Sequence, residues 1–109
     1  MSIQTMTTQS FKVVNDSSVA SGSCLRGYVT TTYNVLVEKL GMPKNGSADG
    51  KTTAEWILSF EDGTVATIYD WRSNLTPKDL YKWHIGGKGI SVLDKVKQAL
   101  GIETQADTF

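Results

Sequence analysis

Ala54-Glu55-Trp56-Ile57-Leu58-Ser59-Phe60-Glu61, then Asp62-Gly63, then Thr64-Val65-Ala66-Thr67-Ile68-Tyr69-Asp70-Trp71 is the stretch that decides the fold. Two runs rich in β-branched and aromatic residues flank an Asp-Gly pair, whose left-handed torsions match the twist of paired strands, so the stretch predicts a β-hairpin. A two-residue turn would pair Phe60 with Val65, Leu58 with Thr67, Trp56 with Tyr69 and Ala54 with Trp71 on one face. Ile57 and Ile68 would then meet on the other, and Glu55 would face Asp70. Downstream, Leu80-Tyr81-Lys82-Trp83-His84-Ile85 alternates and runs into Gly86-Gly87-Lys88-Gly89, which predicts a third strand closed by a glycine loop. Upstream, Tyr33, Leu36, Val37 and Leu40 follow helical spacing, with Thr30 to Thr32 as capping hydroxyls and Gly41 and Pro43 as stops. Pro43 to Lys51 reads as a surface connection. A second helix is predicted from Ser91 to Leu100, with Ser91 and Asp94 in a capping-box relation and Gly101 as its stop.

Phe11 to Val14 is a short N-terminal strand, and a weak strand is allowed around Cys24 to Tyr28. The fold class expected is therefore α+β: a three-stranded antiparallel meander plus a short N-terminal strand, packed by two helices. One domain covers residues 11–102, between a polar arm at 1–10 and a frayed tail at 103–109. With 109 residues the chain suits a single core. Its 11 basic and 11 acidic side chains balance, so no global excess of charge draws in nucleic acid or an anionic bilayer. Its apolar runs are too short to span a membrane as a helix. A single cysteine, Cys24, excludes an internal disulfide and a cysteine-built metal site, and with no secretory signal visible the expectation is a cytoplasmic protein.

Three constellations could carry chemistry. Glu55 and Asp70, predicted opposite each other, need a cation or proton between them, and Lys82, Arg72 or protonated His84 could supply it. A solvated salt-bridge cluster near a sheet end is the plainer reading of these residues, with a site as the alternative. His84 is the only histidine, so any imidazole base must be this residue, but no metal-binding spacing surrounds it and no metal or cofactor is expected. Gly86-Gly87-Lys88 before a helix start could cradle an anion, or serve as turn chemistry alone. Finally, Trp56, Tyr69, Trp71, Tyr81 and Trp83 crowd a short part of the chain. Core packing accounts for rings of this kind, and so does a pocket in which bases stack on rings.

Trp56 to Trp71, followed by Trp83-His84-Ile85-Gly86-Gly87, together with a helix ending in Leu40-Gly41-Met42-Pro43, resembles small accessory proteins of tailed bacteriophages. The resemblance runs from about Tyr28 to Gly101. It implies counter-defence in the host bacterial cytosol, where some such proteins sequester nucleotide immune signals as oligomers. The reading that follows is a non-catalytic binding protein for a small nucleotide-like ligand, with Trp71 and Trp83 stacking on it. Arg72, His84 and Lys88 would be polar contacts, and Gly86 and Gly87 backbone donors. A homo-oligomer is expected, because so small a domain buries little of a ligand alone. The alternatives are a protein–protein inhibitor or adaptor acting on a host defence protein and, more remotely, a small hydrolase using Glu55, Asp70 and His84.

Overall fold

A computed structural model describes residues 11–14, 24–45, 51–71, 75–88 and 91–101. The expected arm at 1–10, the tail at 103–109, and Arg72 and Gly89 lie outside the described residues. The elements are β1 (Phe11–Val14), β2 (Cys24–Thr31), α1 (Tyr33–Leu40), β3 (Lys44–Asn45), β4 (Ala54–Phe60), β5 (Val65–Tyr69), β6 (Tyr81–Gly87) and α2 (Val92–Leu100). The class is α+β, as expected, and the meander β4-β5-β6 is present. The sheet is wider than predicted, with strand order β1-β4-β5-β6-β2 and all pairs antiparallel. β2 is a full strand along β6, and the two-residue β3 sits beside β1 on the outer edge of β4.

The hairpin forms where the sequence places it, but its turn differs in one respect with large consequences. Phe60 N–H donates to Thr64 O at 2.8 Å and Gly63 N–H to Phe60 O at 2.9 Å, so Glu61, Asp62 and Gly63 all belong to the loop. Gly63 takes a positive φ of 91°, and Asp62 Oδ1 accepts from Thr64 N at 2.8 Å, which is the chemistry of a three-residue loop closed by a glycine bulge. Pairing then runs Ser59↔Val65, Ile57↔Thr67, Trp56↔Ile68 and Glu55↔Tyr69. Because side chains alternate, this slip of one residue turns every β5 side chain to the face opposite the predicted one. Trp56 therefore faces Ile68 rather than Tyr69, and Glu55 faces Tyr69 rather than Asp70.

Both helices pack on one face of the sheet. Their buried Leu36, Leu40, Val92, Val96 and Leu100 join Trp56, Leu58, Ile68, Trp83 and Ile85 in one core. Thr32 caps α1 by accepting from Val35 N at 3.2 Å, as its hydroxyl predicted. Ser91 makes no side-chain cap bond, so the expected capping box is absent, and α2 is held by its apolar stripe instead. That docking is close. A Cβ on Gly87 would lie 2.7 Å from Val65 O and 2.7 Å from a Val92 methyl, so only glycine admits the helix here.

Candidate functional site

The sheet divides the aromatic residues into two sets. On the helix face, Tyr33, Trp56, Trp83 and Tyr81 form a continuous row, with Trp56 and Trp83 edge to face at 5.7 Å. Both indoles satisfy their N–H groups internally: Trp56 Nε1 donates to Gly41 O at 2.8 Å and Trp83 Nε1 to Thr31 O at 3.1 Å. Trp83 is 0% exposed, so it offers no ring face to a ligand, and its expected stacking role is corrected to a core role.

On the outer face the second set gathers around His84. Tyr69 lies across from it on β5 and stacks at 5.4 Å with a 27° interplanar angle, while Tyr28, its partner on β2, meets it edge-on at 5.0 Å. Trp71, just past β5, stands 6.5 Å from His84 and 6.4 Å from Tyr69. Leu25, Tyr28, Tyr69, Trp71 and His84 line an open depression of about 370 Å³, a size within the range of small-molecule sites. Trp71 is 41% exposed and Leu25 50% exposed, so the depression has apolar walls that water still reaches. Two ammonium groups stand over its rings: Lys82 Nζ lies 5.3 Å from the Tyr28 ring and Lys51 Nζ 5.9 Å from the Trp71 ring.

Trp71 is placed by its neighbours in the chain. Its backbone N–H donates to the Tyr81 hydroxyl at 3.1 Å. The preceding Asp70 is fully buried: Oδ1 accepts from Thr53 N at 2.7 Å and Ala54 N at 3.1 Å, and Oδ2 accepts from the Thr53 hydroxyl at 2.6 Å. Since that hydroxyl spends its proton on Asp70, the Thr76 hydroxyl 2.7 Å away must donate to it. The clasp ties the exit of β5 to the entrance of β4 and to the following connection.

The expected charge cluster of Glu55, Asp70 and Lys82 is not assembled. Asp70 belongs to the clasp on the side of Ala54. Glu55 lies on the outer face in a salt bridge with Lys44 at 3.6 Å, and Lys82 is exposed on that same face. The two carboxylates of the hydrolase reading therefore point to opposite sides of the sheet. The predicted glycine loop is also corrected. Gly86 and Gly87 are buried residues of β6, paired with Thr67 and Ala66 on one side and with Leu25 and Cys24 on the other. Their absent side chains serve packing: a Cβ on Gly86 would lie 2.7 Å from Thr67 Oγ1 and 3.4 Å from Tyr69 Cε1. Gly86 thus leaves room for Tyr69 to lie down beside His84. Lys88 is exposed at the end of the strand. Among the described residues no group of three or more His, Cys, Asp or Glu side chains could hold a metal ion, and no helix is long and apolar enough to cross a membrane.

Leu25 and Tyr28 were not among the expected site residues, and Tyr69 was named only within the wider ring cluster. The β-rich end of β2, Tyr28-Val29-Thr30-Thr31, is the available signal for Tyr28, and the alternative three-residue turn is the signal for the face that Tyr69 takes; nothing in the sequence marks Leu25.

Burial among the rings pushes the His84 imidazole below its ordinary value of 6.5, with the Asp70 charge opposing the shift, and burial also raises the Tyr69 phenol, helped by Tyr28 and Glu55. A histidine harder to protonate when folded destabilises the fold in acid, because below about pH 6.5 the unfolded chain binds a proton that the folded chain declines. The denaturation midpoint is thus expected to fall between pH 7.5 and 5.5 and to fall less in His84→Phe. Equal slopes in the two proteins would show that His84 does not contribute.

No protein-family model, curated protein or solved structure matches this chain.

Proposed function

We propose that the protein is a non-catalytic binding module that takes a small nucleotide-like molecule on the outer aromatic face. The observation that carries this reading is the half-exposed Trp71 at the wall of a depression lined by three further rings, with the Lys82 and Lys51 ammonium groups above them. A planar base gains stacking energy on such rings whatever its identity, while a phosphate gains from the flanking cations. The resemblance to phage accessory proteins supplies the setting, which is sequestration of a host immune signal in the bacterial cytosol. The depression is open, so one copy covers a single side of a ligand, and the reading includes a homo-oligomer in which a second copy completes the enclosure.

Native mass spectrometry of the protein taken directly from defence-active bacteria tests this. The expected result is a multimer carrying a fixed, nucleotide-sized mass, absent from Trp71→Ala. A bare chain under the same conditions would overturn sequestration. The exposed Leu25 and Trp71 also suit a protein–protein inhibitor, and a stoichiometric complex with one host protein would favour that reading instead.

A further inference from the structure

Among the described residues, His84 is the side chain of the depression that carries a buried polar atom without a partner. Its Nδ1 is buried from solvent and has no hydrogen-bond partner among the described residues, whereas Nε2 is not sealed in this way. The ring is held by the face of Tyr69 from β5 and by the Tyr28 ring from β2. The charged groups around it are Lys82 two residues along β6, Asp70 at the exit of β5, and Glu55 on β4 beyond Tyr69. A proton on Nδ1 would be an orphaned buried donor, the rarer and costlier of the unsatisfied states, and an imidazolium would bury that donor with a charge.

Resting on the binding reading above, we infer that His84 is the specificity residue of the depression. As a neutral imidazole protonated on Nε2, it selects planar heteroaromatic rings that carry a hydrogen-bond acceptor in the ring plane, as a pyridine-type nitrogen or a carbonyl of a nucleobase does. The surrounding rings accept any flat molecule by stacking. His84 adds a single directed donor, and a flat hydrocarbon of the same shape forfeits it while desolvating the N–H group.

The sole histidine makes the test unambiguous. Nitrogen-15 NMR of the imidazole at pH 7 is expected to show the neutral form with its proton on Nε2. Quinoline-4-carboxylate and 1-naphthoate have the same shape and charge and differ by one in-plane nitrogen. The first is expected to bind about five- to tenfold more tightly and to move the Nε2 resonance, a ratio typical of one neutral hydrogen bond. The preference should vanish in His84→Phe, which keeps a stacking ring. Equal affinities in the wild-type protein, or a proton on Nδ1, would overturn the inference while leaving ring binding intact. Failure of both probes to bind would overturn ring binding itself and the inference with it.

Discussion

Replacing Trp83 by alanine is expected to destabilise the protein by about 3–5 kcal/mol, the cost of emptying a large aromatic site in a packed core. Trp83 is fully buried, meets Trp56 and Tyr81 edge to face, and spends its indole N–H on Thr31 O in the neighbouring strand β2. Truncation therefore opens a cavity in the core and also removes the indole donor from Thr31 O. For a domain whose total stability is of the order of 5–15 kcal/mol, this is enough to leave a sizeable unfolded fraction. Trp71→Ala, by contrast, is expected to cost less than about 1 kcal/mol, since its ring is 41% exposed. Urea denaturation of the two variants checks the contrast. Similar midpoints would mean that Trp83 is not the core residue described here.

The second large effect is expected at Asp70. Asp70→Ala should cost roughly 2–4 kcal/mol, because it strands two backbone N–H groups, of Thr53 and Ala54, and a threonine hydroxyl that now bond the carboxylate. Asp70→Asn keeps the volume and one acceptor oxygen, and should fall between alanine and the wild type. The clasp sits one residue before Trp71, so its loss should also disturb the site. In Asp70→Ala the environment of Trp71 is expected to change under native conditions, before any global unfolding. An alanine variant as stable as the wild type would show that the clasp holds nothing.

Much of this fold is legible in the chain. Helical spacing with Thr32 before it and Gly41 after it marks α1, and Val92, Val96 and Leu100 with Gly101 as a left-handed C-cap mark α2 without a side-chain N-cap. The hairpin is legible as an element but not in its register. Asp62-Gly63 suits a two-residue turn, and it suits equally a three-residue loop in which Glu61 joins and Gly63 forms the bulge. Only the packing of Ala66 and Ile68 under the helices decides between them. Gly86 and Gly87 look like breakers in sequence because their reason for being glycine is tertiary. One faces Thr67 and Tyr69 on β5, and the other is wedged between Val65 O of β5 and the Val92 methyls at the start of α2. The site was half legible for the same reason. His84 and Trp71 stand out as residue types, but Trp83 does so just as strongly, and the face each ring takes depends on the register. Tyr28 was hidden because β2 begins in Cys24-Leu25-Arg26-Gly27, and the strand carries a bulge there, with Arg26 skipped between Leu25 and Gly27 in the pairing with β6.

The central claim is that the outer row of rings, not the inner one, receives a planar ligand. Of the three tryptophans, Trp56 and Trp83 are 1% and 0% exposed, so Trp71 alone can report a ligand by its emission. A fluorescence titration with a panel of mononucleotides and cyclic dinucleotides tests the claim most directly. The expected result is saturable quenching by at least one of them, with affinity weakened by about five- to a hundredfold in Trp71→Ala or Tyr69→Ala read through His84 resonances, in line with the worth of one stacking contact. Emission unchanged across the panel up to millimolar concentration, in a folded protein, would contradict it.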